Sequence, residues 1–241
     1  MNNPEIKIAC LGDSITKGRF SYNWIKQLSN EFKEKSIHFF NFGKDGELAF
    51  NALQRIDDVI NIQPEYVFIL LGTNDINAIM CEANTKRYMR GEKLPQRPNI
   101  EWYLENIEKI TTLLKSKTKA KIVLISIPIL GEDLKNIANK TVDKYNEKIK
   151  EYSLQNKIAY IDLYQKMFSF LLENSVKNVR PLSLGLGLIF KAFLRRYILF
   201  QDWNTISQKH QLLLTTDFIH LNTTSGKMLA EMVKNHIEIP F

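Results

Sequence analysis

Tyr66-Val-Phe-Ile-Leu-Leu71-Gly72-Thr73-Asn74-Asp75 is the stretch on which the fold turns. Its first six residues are apolar without interruption, between Pro64 upstream and Gly72 downstream. A strand with one wet face would alternate, so an unbroken run predicts a strand buried on both faces, as in a parallel sheet. Working outward, Ile6–Leu11, Ile37–Phe42, Lys121–Ile127 and Ile158–Leu163 read as four further strands. Between them the apolar period becomes helical. In Tyr22–Lys35, Trp24, Ile25, Leu28 and Phe32 recur on one face, and Leu48–Asn61, Ile100–Lys115, Leu134–Gln155 and Asn222–His236 read as helices too. Strand alternating with helix predicts an α/β protein with helices on both faces of a parallel sheet and right-handed crossovers. Chemistry in such sheets gathers at the carboxyl ends of the strands. Two segments fall outside the alternation: Ala78–Asn99, loop-like and basic, and an insertion at about residues 170–216. No repeat or linker divides the chain, so residues 1–241 are expected to form a single domain.

Bulk composition narrows the classes. With 44% hydrophobic residues, the 241-residue chain has enough apolar matter for a sizeable core, which excludes global disorder. A formal charge of +7 fits either contact with something anionic or plain solubility. No nucleic-acid-binding motif accompanies it. Cys10 and Cys81 lie in no metal-ligand or CxxC spacing, and read as reduced thiols. Met1-Asn-Asn-Pro-Glu lacks a basic n-region and an apolar h-region, so a cytoplasmic protein is expected. The most apolar stretch outside the strands, Leu182–Phe200, carries Lys191, Arg195 and Arg196, which excludes a transmembrane span but not contact with a membrane surface.

The carboxyl ends of the expected strands carry the chemistry-bearing residues. The first ends in Gly12-Asp13-Ser14, a serine after a sharp turn and before a helix, whose N-terminus favours negative charge. The second ends in Asn41-Phe-Gly43-Lys-Asp-Gly46, where a bare backbone N–H can approach a substrate oxygen. The third ends in Gly72-Thr73-Asn74-Asp75, whose asparagine amide can donate to an oxyanion. Asp217-Phe-Ile-His220 precedes the last helix, and a carboxylate three residues before a histidine can fix one imidazole tautomer. Each piece alone is an ordinary turn or cap; their joint occurrence in this order is what discriminates. His38, His210 and His236 have no carboxylate in a comparable motif and read as structural, and Cys10 reads as a small packed hydrophobe.

Block for block, the chain resembles the GDSL/SGNH hydrolase superfamily, with Ile15 in place of the leucine of the family's name. The resemblance implies a flavodoxin-like three-layer α/β/α fold with a five-stranded parallel sheet. It implies Ser14 as nucleophile, His220 as base and Asp217 as its partner. Ser14, Gly46 and Asn74 would form the oxyanion hole, with Gly12, Asp13 and Asp75 in support. The expected reaction is ester hydrolysis through an acyl-enzyme on Ser14, needing neither metal nor organic cofactor. Carbohydrate O-deacetylation or acyl transfer by the same triad is the alternative, and a non-enzymatic binding module a third class. The partner is a small-molecule or lipid ester; oligomeric state is not legible. The insertion is net positive and reads three ways: an extra packed helix, a cap that holds an acyl chain or meets an anionic membrane surface, or a dimer interface. Phe190, Phe193 and Tyr197 fall on one side of its helix as candidate substrate-binding residues.

Overall fold

A computed structural model describes residues 5–174 and 180–238. The N-terminal residues 1–4 and Lys177 of the insertion therefore lie outside the described residues. Five parallel strands form one sheet in the order β2-β1-β3-β4-β5: β1 Ile6–Gly12, β2 Ile37–Gly43, β3 Tyr66–Leu70, β4 Lys121–Ile125 and β5 Ala159–Ile161. All five residues of β3 are buried, as its unbroken apolar run requires.

The strands are joined by α1 Ser14–Lys17 and α2 Trp24–Glu31, then α3 Ala49–Gln54 and α4 Ile56–Asn61, then α5 Thr73–Ile79, α6 Glu82–Gly91 and α7 Ile100–Lys117, then α8 Ile137–Gln155. After β5 come α9 Leu163–Glu173, α10 Leu186–Tyr197, α11 Trp203–Lys209 and α12 Thr223–Lys234. Helices α3, α4, α7 and α8 pack together in one layer, and α2, α9 and α12 in the other. The fold is therefore the three-layer α/β/α, flavodoxin-like arrangement. Trp24, Ile25, Leu28 and Phe32 are all buried in the core, as their spacing demands.

Three expectations are corrected. Ala78–Asn99 is not a loop but contains α6, whose inward face is polar: Asn84, Thr85 and Tyr88 are buried. The Asn84 amide donates to the Asn77 carbonyl and side-chain oxygen, and the Thr85 hydroxyl to Ala78 O at 2.7 Å. A helix docked by hydrogen bonds shows no apolar period. The expected helix Leu48–Asn61 breaks at Arg55, whose guanidinium turns inward to Glu47 and to the Phe42 carbonyl at 2.8 Å. The fourth strand stops at Ile125 rather than Ile127, because the Asn146 side chain takes over both backbone groups of Ile127 at 2.7 and 2.9 Å. Helix α9 is an addition to the helices expected from the sequence, with Leu163, Tyr164, Met167 and Leu171 on its buried face.

Candidate active site

The chain passes from β1 outward to β2 and back across to β3, so a crevice opens at the carboxyl ends of these strands. Gly12 pairs with Gly43 on one side and Leu70 on the other, which brings the residues that follow all three strands level with one another. Ser14 opens α1 directly after β1, with Asp13 as N-cap accepting from Ile15 N–H at 2.9 Å. The turn is tight: a Cβ at Gly12 would come within 2.6 Å of the Leu70 carbonyl oxygen, so glycine there is a packing requirement. Gly46 holds φ at +82°, a conformation that costs a glycine little.

Across the crevice, His220 Nε2 lies 2.9 Å from Ser14 Oγ, and His220 Nδ1 lies 2.8 Å from Asp217 Oδ2. Carboxylate oxygens only accept, so Nδ1 carries the proton and Nε2 is the acceptor for the Ser14 hydroxyl. Asp217 Oδ1 accepts in turn from the backbone N–H groups of Ile219 and His220. All three side chains are buried. Burial pulls the His220 imidazole down, but the charge and hydrogen bond of Asp217 outweigh it and hold the group above the ordinary histidine value.

The loop that carries Asp217 and His220 is fixed from several directions. Buried Glu132, after β4, accepts from Leu213, Leu214 and Thr215 N–H at 2.7–2.9 Å and from the Thr215 hydroxyl at 3.0 Å. Gly131 N–H donates to Phe218 O at 2.8 Å. His210 contributes as well: its Nδ1 lies 2.6 Å from Thr216 O, which makes that nitrogen the donor, and burial keeps the ring below the ordinary histidine value. Ser21 and Tyr22, shortly after the Ser14 turn, bond both backbone groups of Leu221 at 2.8–3.2 Å. Glu132 and His210 carried no motif in the sequence; a buried acid in Gly-Glu-Asp is the only trace Glu132 leaves.

Asn74 opens onto the same crevice from the first turn of α5. Its Oδ1 accepts from the Tyr88 hydroxyl at 2.7 Å, and Tyr88 in turn accepts from Asn77 at 3.1 Å. Burial pushes the Tyr88 phenol up to about 12, so it remains a donor and fixes which way the amide points. One Nδ2 hydrogen is held by Glu47 O at 2.9 Å; the other points only loosely, at 3.5 Å, toward Asp13. Among the described residues the backbone N–H groups of Ser14 and Gly46 have no hydrogen-bond partner. Asp13 and Asp75 are fully buried, and burial pushes each up to about 7. Asp75 Oδ2 accepts from Ala49 N–H at 3.2 Å, which ties α5 to α3. Cys10 is buried in β1 with its thiol pushed up by burial, and no cluster of metal-ligating side chains occurs among the described residues.

A cavity of about 300 Å³ holds Ser14, Gly46, Asn74 and His220 in its lining. Its lining is mixed: polar Asp45, Arg87 and Glu92, apolar Leu184, Leu186 and Ile189 from the insertion, and Phe20, Tyr88 and Ile219 besides. Phe190, Phe193 and Tyr197 do not line it. Phe193 stands behind the lining, with ring centroids 5.8 Å from Phe20 and 4.8 Å from Tyr197, while Phe20 itself lies 5.6 Å from the His220 ring. Phe190 is 61% exposed.

The family described as "GDSL-like Lipase/Acylhydrolase" matches residues 10–182, a span that includes Ser14, Gly46 and Asn74 and ends before Asp217. No curated protein matches the sequence significantly. Among solved structures, the acetyl xylan esterase AlAXEase is 18% identical over 97% of this chain and 100% of its own, with a TM-score of 0.70. The acetylxylan esterase Axe2 from Geobacillus stearothermophilus is 17% identical over 98% of this chain and 96% of its own, with a TM-score of 0.66. A lipase/acylhydrolase from Enterococcus faecalis is 18% identical over 98% of this chain and 99% of its own, with a TM-score of 0.62. At these identities the likeness is one of fold.

Proposed function

We propose that this chain, which belongs to the GDSL-like lipase/acylhydrolase family, hydrolyses carboxylic esters through an acyl-enzyme on Ser14. The observation that carries the reading is the continuous relay from Ser14 Oγ through His220 to Asp217, at 2.9 and 2.8 Å. As Ser14 Oγ attacks the ester carbonyl, His220 Nε2 takes its proton and Asp217 stabilises the imidazolium that forms. The tetrahedral oxyanion lies against the N–H groups of Ser14 and Gly46 and takes the Asn74 Nδ2 hydrogen that otherwise makes only the long 3.5 Å contact with Asp13. One such donor is worth about 2.7–4 kcal/mol in the transition state. His220 then returns the proton to the leaving alcohol, and a water molecule repeats the sequence to release the acid.

The mixed lining of the cavity suggests the division of the substrate. The acyl group lies along Leu184, Leu186 and Ile189, and a polar alcohol portion along Asp45, Arg87 and Glu92. The polar part of the lining also suits a hydroxyl-rich alcohol, which keeps carbohydrate deacetylation as the second reading. Ser14→Ala is expected to abolish hydrolysis of p-nitrophenyl esters while leaving the circular dichroism spectrum and melting temperature close to wild type. A variant that retained full turnover would reject the mechanism. Rates across esters of rising chain length divide the two readings: preference for acetyl favours deacetylation, and preference for longer chains a lipid ester.

A further inference from the structure

Six of the nine large hydrophobic side chains exposed among the described residues fall between Leu186 and Phe200: Leu186, Phe190, Tyr197, Ile198, Leu199 and Phe200. Leu186, Phe190 and Tyr197 share one side of α10, and Ile198, Leu199 and Phe200 make the turn that follows it. This surface is continuous with the candidate active site, because Leu186 is at once exposed and part of the cavity lining. The charged residues within the segment itself are of one sign. No Asp or Glu occurs between Glu173 and Asp202, whereas Lys191, Arg195 and Arg196 lie on α10 itself. Arg19 adds a fourth cation, its guanidinium 5.8 Å from the Phe193 ring centroid. The turn presents its most exposed aromatic in an uncommon way. Phe200 is 84% exposed with φ at +50°, a backbone region a bulky residue rarely occupies and a helix end usually gives to glycine.

We propose that the Leu186–Phe200 surface seats this protein on an anionic lipid surface, with the mouth of the active-site cavity opening at the contact. Exposed apolar side chains with exposed Lys191 and Arg19 at their flanks match the acyl boundary and the anionic headgroups of a bilayer together, while Arg195 and Arg196 are half-buried and donate to Gln201. A second copy of the chain fits worse, since a two-fold contact through this face would gather two like-charged sets of cations into one interface. No helix among the described residues is long and apolar enough to cross a membrane, and α10, at twelve residues, suits a helix lying in the interface. The inference extends the hydrolase reading to an ester presented from a lipid surface, but the contact itself is measured without turnover.

The test is cosedimentation of the full chain with vesicles of phosphatidylcholine alone and of phosphatidylcholine mixed with phosphatidylglycerol. Binding to the anionic vesicles is expected to be roughly tenfold stronger or more, the size set by two or more cations at the surface, and to weaken as salt rises. Lys191→Glu should lower it severalfold. Phe200→Gly with Leu199→Ser should lower it as well while preserving the fold, since glycine suits the backbone at position 200. Both variants should hydrolyse a soluble short-chain ester at the wild-type rate. Equal binding to both vesicle types, or wild-type binding by both variants, overturns the proposal. So does a wild-type dimer, seen by light scattering, that the variants lose without any vesicle binding. Ser14→Ala should bind vesicles as wild type does, so a failure of the hydrolase reading leaves this measurement standing.

Discussion

Glu132→Gln tests how the loop bearing Asp217 and His220 is held. In the native protein Glu132 Oε1 accepts three hydrogen bonds, from Leu214 N–H, Thr215 N–H and the Thr215 hydroxyl, and Oε2 accepts one from Leu213 N–H. A glutamine can place its carbonyl at the Oε1 position and keep three partners, but its amide then faces the Leu213 N–H, donor against donor. The loss is one unsatisfied donor plus the charge assistance of three bonds, roughly 2–4 kcal/mol together. Equilibrium urea unfolding should show a lower midpoint with an unchanged slope. Because the loop sets where His220 stands against Ser14, turnover should fall as well; a 1 Å misplacement of a reacting group costs about 10²-fold. Glu132→Ala, which releases all four donors, should be worse on both counts. A Glu132→Gln protein with wild-type midpoint and wild-type turnover would show that the carboxylate does not hold the loop.

Other expectations follow from the site. Asn74→Ala should lower kcat by about 10²–10³ with little change in KM, as befits a donor that acts in the transition state; an effect on KM alone would make Asn74 a ground-state contact. Because His220 is held above the ordinary histidine value and must be neutral to act as base, kcat/KM should rise with pH through a midpoint above about 6.5. The His220 contribution to stability has the opposite sense, present at low pH and lost as pH rises through the same midpoint; a flat kcat/KM profile would remove His220 as the base. Asp13 is raised from 3.8 to about 7 by burial, so its favourable protonated form is lost as pH rises toward and past 7. Asp13→Asn should therefore melt with the wild type near pH 4 and be more stable near pH 8, by up to about 4 kcal/mol; equal melting temperatures at both values would show that Asp13 carries no such strain.

How much was legible in the sequence depended on what holds each element. Where apolar burial decides, as in β3 or along Trp24, Ile25, Leu28 and Phe32, the pattern of residues was sufficient. The residues expected at the site, from Gly12 and Ser14 through Gly46 and Asn74 to Asp217 and His220, came from local motifs in a fixed order, and the fold brings them to one crevice. Where polar groups decide, the sequence was silent. Helix α6 docks through Asn84 and Thr85, Arg55 breaks a helix to reach buried carbonyls, and Glu132 grips a loop more than eighty residues away. Such bonds depend on tertiary neighbours and leave no period behind. The insertion failed for another reason. Phe190, Phe193 and Tyr197 share a side of α10 with Leu186, but helical spacing cannot say which turn of the helix reaches the cavity, and only the first turn, with Leu186 and Ile189, does so.

The hydrogen bonds between Ser21, Tyr22 and Leu221 join segments 200 residues apart, beside the Ser14–His220 contact, whose partners are separated by 206. A ribosome delivers the chain from its N-terminus at about 5–20 residues per second. Ser14 therefore emerges first, and roughly ten to forty seconds pass before His220 is made. Throughout that interval the serine is an ordinary hydroxyl with no base to activate it. On the proposed mechanism, the nascent protein is chemically silent toward cellular esters until its last strap has been synthesised and closed over its first turn.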